Sequence, residues 1–460
     1  MDLDFNKIYK FAMKDLKIMI DINSGSVHII DTVTWDYLDK LELTRDWQKA
    51  KEELLHLYDP KKLQAVIDEL QVLIKNGLLF SPEPPVEEYE QNIPEEQVVK
   101  ALCLHVAHDC NLRCGYCFAG TGSFSGERTL MDRETGEKAI DFLLQASGNR
   151  KNVEVDFFGG EPLLNFKVVK ELVYYGQRKA KEQGKHLKFT ITTNGVLLNE
   201  EIGDFFDANG LDVVLSLDGR PEVHDRMRPF PKGAKSYDIT KEHILNFVEK
   251  RNQKNYYVRG TFTRHNLDFF QDVKHLAELG FKEISLEPVV TATGEDYGFL
   301  EEDLPFIKEQ YDLLTDYYWD CYQRGTPFNF FHFNIDLNHG PCLPKRLSGC
   351  GAGYEYLAVS PEGDLYPCHQ FVGKEDYKIG HISTGIVKPE IPKEFKASHV
   401  LKKDECRTCW ARFYCSGGCH ANNLAFRNSL LKPYQMGCEL QKKRLECAIY
   451  LQVQKHLTPQ

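Results

Sequence analysis

The sequence predicts an α/β fold: a partial (β/α)6 barrel of the TIM type, with a small unit ahead of it and a cysteine-rich segment behind. Three observations carry this. Between residues 99 and 320, six strand-like runs alternate with helical ones, the pattern of a parallel sheet curled into part of a barrel. Residues 82–98 are rich in Pro and Glu, a linker held extended by proline and by repelling carboxylates. Beyond residue 340 the alternation stops, and Gly, Pro and Cys become frequent.

In the first unit, residues 1–81, Ile18, Ile20 and Ile22 alternate, Asn23-Ser24-Gly25 forms a turn, and Val27 and Ile29 resume the pattern. That predicts a hairpin. Asp59 is an expected N-cap with Pro60 at the first helical position. Leu63, Val66, Ile67, Leu70, Leu73 and Ile74 then share one helical face, which Gly77 ends. Pattern alone leaves open whether this unit binds a partner or only caps the fold. Barrel strands are expected at 101–106, 153–158, 188–192, 212–217, 256–261 and 283–287. Amphipathic helices are expected at 133–145, 166–181, 241–250 and 269–279. Chemistry in such folds gathers at the C-terminal ends of the strands. The segment 340–450 has short apolar runs and is expected to depend on metal to fold.

The chain of 460 residues carries 57 Lys and Arg against 68 Asp and Glu, a net charge of −11. Phosphate contacts supply most of the affinity of a nucleic-acid binder, so this balance argues against one. No export signal opens the chain and no run of eighteen apolar residues occurs, so a cytoplasmic protein off the membrane is expected. There are 14 cysteines. Three fall between 110 and 117 and eight between 342 and 438, whereas Cys103, Cys321 and Cys447 stand apart and read as buried thiols. Clustered cysteines in a reducing compartment read as metal ligands rather than disulfides.

Cys110-x3-Cys114-x2-Cys117 puts three thiolates on a short loop just after the first strand, one fewer than a closed four-iron cluster needs. One iron is then open to a cofactor or substrate. The competing reading is half a zinc site completed by His105 or His108. The motif, with Tyr116 before its last cysteine, resembles the signature of the radical S-adenosylmethionine superfamily. Gly159-Gly160-Glu161-Pro162 after the second strand, Thr193-Asn194-Gly195 after the third and Ser216-Leu217-Asp218-Gly219 after the fourth fall where that family has motifs. The resemblance implies a [4Fe-4S] cluster on Cys110, Cys114 and Cys117 that reductively cleaves S-adenosylmethionine to a 5′-deoxyadenosyl radical. It also implies roles for the motif residues. Glu161 with the Gly159–Gly160 backbone would accept from the cofactor's amino group. Asn194 and Ser216 would reach its carboxylate or ribose, Arg259 its carboxylate, and Tyr116 to Phe118 its adenine.

In the second cysteine field, Cys350-x12-Gly363-x4-Cys368 precedes Cys406-x2-Cys409-x5-Cys415-x3-Cys419 and then Cys438. This resembles the SPASM domain, with zinc ribbons as the alternative. The resemblance implies two auxiliary [4Fe-4S] clusters, three clusters in all. Cys406, Cys409, Cys415 and Cys438 would hold one; Cys350, Cys368 and Cys419 would hold the other, with Cys342 as a fourth ligand or with an iron left open. Relatives that oxidise a sulfatase residue carry Asp directly after the cysteine matching Cys368, as a general base. Here that position is His369, which takes over the role of candidate base.

Ile20-Asp21-Ile22-Asn23-Ser24-Gly25 and Lys75-Asn76-Gly77-Leu78-Leu79 are similar to the PqqD-like, winged-helix unit that binds leader peptides. The whole pattern most resembles maturases of Cys-rich ribosomal peptides of the SCIFF type. That resemblance implies a thioether cross-link between a cysteine sulfur and a carbon of another residue in a precursor peptide. An auxiliary cluster would take the surplus electron, and ferredoxin or flavodoxin would be the electron donor. The alternatives are a sulfatase or quinone-cofactor maturase and a zinc-bound scaffold without turnover.

Overall fold

The computed structural model describes residues 3–83, 85, 98–124, 126–291, 294–337 and 343–458. Most of the Pro/Glu linker, and Cys342, lie outside the described residues. The first unit is an antiparallel sheet of β1 (Ile8–Met13), β2 (Leu16–Asp21) and β3 (Val27–Ile30), in that order, followed by α1 (Thr32–Thr44), α2 (Trp47–Leu54) and α3 (Pro60–Lys75). The expected hairpin is β2–β3, with Ile20 opposite Val27 and Ile18 opposite Ile29. Its turn is fixed by the buried Asp21 carboxylate, which accepts from the Ser24 N–H at 2.9 Å and from the Ser81 N–H at 3.0 Å. Asp59 caps α3 by accepting from the Lys61 N–H at 2.7 Å, and Leu63, Val66, Ile67 and Leu70 are buried.

Alternation along β2 divides its side chains between two cores. Met19 packs with Leu38, Leu41, Leu63 and Leu70 of the unit's own helices. Ile18 and Ile20 point the other way, into the main core of the chain. The unit is therefore docked through its sheet. Tyr9 reinforces the contact, stacking on Trp410 at 4.2 Å between ring centroids and donating to Glu446 at 2.5 Å.

The central sheet runs through β4 (Ala101–Ala107), β5 (Asn152–Gly159), β6 (His186–Thr193), β7 (Asp212–Ser216), β8 (Tyr256–Phe262) and β9 (Glu283–Pro288). These six are parallel and adjacent in chain order. The helices between and after them are α4 (Arg133–Ala146), α5 (Phe166–Glu182), α6 (Glu200–Asn209), α7 (Pro221–Met227), α8 (Tyr237–Lys250), α9 (Phe270–Glu278) and α10 (Leu304–Gln323). Inward positions such as Val155, Phe157, Ile191, Leu215, Val258 and Ile284 are fully buried.

The sheet is longer than the six strands expected. On one edge β10 (Asn329–Phe330) pairs parallel with β9. On the other, β11 (Tyr356–Val359) pairs parallel with β4, and β12 (Asp364–Tyr366), β13 (Gly380–His381) and β14 (Gly385–Ile386) continue it antiparallel. Leu357, Val359, Leu365 and Ile379 thereby join the barrel core. The cysteine-rich segment thus takes part of its core from the barrel, and it covers the otherwise open edge of β4. The final helix, α11 (Gln435–Leu457), packs on α10 and buries Leu440, Cys447, Ala448 and Leu451. Cys103, Cys321 and Cys447 are buried thiols at 1%, 4% and 0% exposure. Among the described residues no helix is long and apolar enough to cross a membrane.

The paired residues Ile18 and Ile29 lie on one face of the hairpin, the first buried on β2 and the second exposed on the edge strand β3, and they give a test. Ile18→Ala, which empties space between unit and barrel, is expected to cost about 2–4 kcal/mol, and Ile29→Ala on the exposed edge to stay within about 0.5 kcal/mol. Anaerobic chemical denaturation followed by circular dichroism reads both; equal losses would contradict the docking described.

Candidate metal centre and cofactor cavity

Where the barrel strands end, the chain encloses a cavity of about 240 Å³. Cys110, Cys114 and Cys117 line it, with Tyr116, Phe118, Gly159, Gly160, Asn194, Ser216, Arg259 and His369. Of the residues expected at the cofactor, only Glu161 is off the wall. The cysteine loop is pinned on two sides. Toward β5, the Gly160 N–H donates to Ala107 O and the Glu161 N–H to Asp109 O, both at 2.8 Å. Toward the end of α7, the Arg113 N–H donates to Pro229 O and the Gly115 N–H to Met227 O, again at 2.8 Å. The two glycines are required by this approach: a Cβ on Gly159 would lie 2.1 Å from Ala107 O, and one on Gly160 2.2 Å from Asp109 O.

Glu161 works from behind. Fully buried, its carboxylate accepts from the Leu163 N–H at 3.0 Å, the Thr193 hydroxyl at 2.7 Å and the Asn194 N–H at 2.8 Å. Those bonds tie the end of β6 to the glycine pair and hold the carboxylate just behind the cavity wall. Asn194 is aimed by a bond from its amide to Asn111 at 2.7 Å. Tyr116 is fixed at the wall by its hydroxyl, which donates to Asp218 at 2.6 Å and accepts from Arg228 at 2.9 Å.

Arg228 is 8% exposed, lines the cavity, and leaves its Nε without a hydrogen-bond partner among the described residues. Burial pushes the Cys110 thiol up to about 11 and Cys114 to about 12, against the pull of the Arg228 charge. Free thiols there stay protonated at neutral pH, so iron is what draws out the thiolates. Three thiols around one cavity beside a buried, under-bonded cation fit an anionic iron–sulfur cluster. Among the described residues no three His, Cys, Asp or Glu side chains converge as a single metal ion requires. His105 and His108 do not line the cavity; they face each other at 3.2 Å against Phe124.

His369 is at the wall, its Nδ1 3.1 Å from the Tyr356 hydroxyl and its ring near Phe118 and Phe158. Burial, with Arg259 nearby, pushes it down to about 4, so it stands as a neutral imidazole and a weaker base than its sequence position suggested. Arg259 is half-exposed and 3.8 Å from Glu287, whose carboxylate also meets His332 at 3.2 Å. Arg228, Glu287, Thr192 and Thr261 line the cavity without having been singled out. The sequence offered a signal for Thr192, Thr261 and Glu287, which sit at strand ends, and none for Arg228.

Cys406, Cys409, Cys415 and Cys438 line a cavity of about 370 Å³, whose opposite wall is the first unit, through Phe5, Ile8, Tyr9 and Ile22. Cys350, Cys368 and Cys419 lie within electrostatic reach of one another, with Cys350 and Cys419 opening to solvent.

Residues 99–239 match the model of a 4Fe-4S single cluster domain, and residues 350–410 that of the SPASM iron–sulfur cluster-binding domain. The chain is a radical S-adenosylmethionine protein with a SPASM domain. Similar proteins include the radical SAM cyclopropyl synthase TigE of Paramaledivibacter caminithermalis, 22% identical over 86% of this chain and 84% of that one. A cysteine-type anaerobic sulfatase-maturating enzyme of Clostridium novyi is 25% identical over 68% of this chain and 86% of its own. Among solved structures, native anSMEcpe with bound AdoMet superposes with a TM-score of 0.66 at 21% identity, covering 78% of this chain and 100% of that one. Streptococcus suis SuiB bound to S-adenosylmethionine gives 0.52 at 19%, covering 94% and 98%. These two likenesses show the fold.

The glycine pair generates a prediction. Gly160→Ala forces the backbone at Asp109 away and displaces Cys110, so anaerobically reconstituted protein should lose about four irons, one cluster's worth. Iron analysis with visible absorbance reads this, and full iron content in the variant would refute the requirement.

Proposed function

We propose that this protein installs an intramolecular thioether between a cysteine sulfur and a carbon of another residue in a Cys-rich precursor peptide. The observation that carries a peptide substrate is the first unit. Its edge strand β3 faces α3 across a groove of about 640 Å³, lined by Val27, Ile29, Val33, Lys62, Val66 and Leu73. An extended leader can add to such an edge through main-chain hydrogen bonds while alternate side chains enter the groove, which is the behaviour of a PqqD-like unit. The anSMEcpe structure is matched in full by 78% of this chain, whereas SuiB, solved also with its precursor peptide SuiA, corresponds to 94% of it. That difference favours a peptide maturase with a leader-binding unit over a sulfatase maturase.

When bound, the first cluster with S-adenosylmethionine supplies hydrogen-atom abstraction, and the auxiliary clusters supply an acceptor for the surplus electron. Cys110, Cys114 and Cys117 would hold the first; Cys406, Cys409, Cys415 and Cys438, and Cys350, Cys368 and Cys419, would hold the others. Gly159, Gly160, Asn194, Ser216 and Arg259 would surround the cofactor, with the exposed Phe118 at the cavity mouth. Glu161 and the Tyr116–Asp218–Arg228 group fix the shape of that wall. His369 offers a neutral ring nitrogen to a hydrogen-bond donor on the substrate. A ferredoxin or flavodoxin fits as electron donor. Per cross-link the carbon gives up a hydrogen atom, the thiol a proton, and the pair one electron.

A second reading has its own support in the likeness to a cyclopropyl synthase along most of both chains: carbon–carbon closure on the peptide, which also removes two hydrogens. Mass spectrometry of a Cys-rich precursor, incubated anaerobically with reduced enzyme and S-adenosylmethionine and then alkylated, separates the two. A loss of two hydrogens with one fewer alkylated thiol is expected. The same loss with every thiol alkylated would move the assignment to carbon–carbon closure, and an unchanged peptide would overturn both. For the groove, Ile29→Arg should weaken binding of the full precursor about tenfold, roughly 1.4 kcal/mol, and leave a leaderless core peptide unaffected; calorimetry with both peptides checks this.

A further inference from the structure

Lys403 lies between the two auxiliary cysteine groups. It is fully buried. Its backbone carbonyl accepts from the Cys406 N–H at 2.9 Å and so opens the turn that presents that ligand. Its Nζ donates to Gly417 O at 2.6 Å, in the middle of the turn Cys415-Ser416-Gly417-Gly418-Cys419. That turn carries one ligand of each auxiliary group. Gly417 makes room for the ammonium: a Cβ there would sit 2.9 Å from Nζ, and the residue has φ +82°.

A buried ammonium costs several kcal/mol unless an opposite charge and further hydrogen bonds compensate it. Among the described residues no carboxylate forms an ion pair with Lys403. The groups that favour its charged form are the thiols of Cys406, Cys415, Cys419 and Cys438. A cubane held by thiolates is anionic when oxidised, and reduction adds one more negative charge. A fixed cation bonded to the turn that carries ligands of both groups, in a low-dielectric interior, favours the reduced form.

We propose that Lys403 is the shared counter-ion of the two auxiliary clusters, a positioning residue whose charge holds both reduction potentials up. It rests on the ligand groups of the proposed function and is independent of the peptide. Cys→Ala variants that lose iron test the ligands, whereas the potentials test Lys403.

The experiment is a potentiometric titration with dithionite of the anaerobic, fully reconstituted full chain, followed by electron paramagnetic resonance, for wild type, Lys403→Met and Lys403→Arg. The first cluster is distinguished by the response of its signal to S-adenosylmethionine and serves as internal control. In Lys403→Met both auxiliary midpoints should move to more negative potential while the first cluster stays in place, and Lys403→Arg should titrate like wild type. If the methionine variant cannot hold auxiliary iron but the arginine variant can, the requirement for charge stands. Unmoved potentials, movement of one auxiliary cluster alone, or equal effects of Met and Arg would overturn the proposal.

Discussion

Two backbone hydrogen bonds, from Gly160 to Ala107 and from Glu161 to Asp109, join the end of β5 to the chain just ahead of Cys110. They extend the parallel pairing of β4 and β5 past the regular sheet and into the cysteine loop. They form only because neither glycine carries a Cβ. From this junction the rest of the site follows. Glu161, placed by its own N–H, gathers the backbone of Asn194 and the hydroxyl of Thr193 from β6. The far side of the loop is held by the chain on either side of Arg228. Three barrel connections thus converge on three thiols, and the barrel supplies the rigidity that a seven-cysteine tail lacks.

A second constraint is the cost of burying charge. Burial raises the pKa of the Cys110, Cys114, Cys406 and Cys438 thiols, and the cations Arg228 and Lys403 are almost wholly withdrawn from water. Arg228 has the buried Asp218 carboxylate at 3.8 Å, whereas Lys403 has no carboxylate partner among the described residues, and its burial is unfavourable by itself. Together with iron–sulfur clusters these groups are complementary, since thiolates and clusters need counter-charge where solvent is absent. Electrostatics and packing therefore point to the same occupants as the cysteine spacing.

Much of this was legible in the sequence because it is local. The six strands were read from runs of β-branched and aromatic residues, and each motif fell at a strand end, where the cavity is. The hairpin Ile18 to Ile29 and the α3 cap were carried by alternation and by Asp59-Pro60. Strand β1 was not read, because Lys10 and Ala12 interrupt its alternation and its packing is supplied by β2 and by Trp410. The addition of β11 to the barrel sheet is a long-range pairing that four residues cannot announce. Arg228 and Lys403 look like ordinary surface cations until tertiary contacts bury them. The motif placed Glu161 near the cofactor, but the bonds from Leu163, Thr193 and Asn194 that fix its carboxylate are contacts that no local pattern announces.

The N-terminal unit is built into the rest of the chain in a way its sequence did not suggest. One face of its sheet enters the main core, Tyr9 and Ile22 line the cavity of Cys406, Cys409, Cys415 and Cys438, and β3 is the edge strand of its sheet. The central claim is that the barrel cavity acts on a carbon of a bound peptide. The most direct test is a precursor peptide deuterated at the carbons of its non-cysteine residues, incubated with reduced enzyme and S-adenosylmethionine. Deuterium appearing in 5′-deoxyadenosine is the result predicted; deoxyadenosine formed without deuterium, from every labelled position, would contradict it.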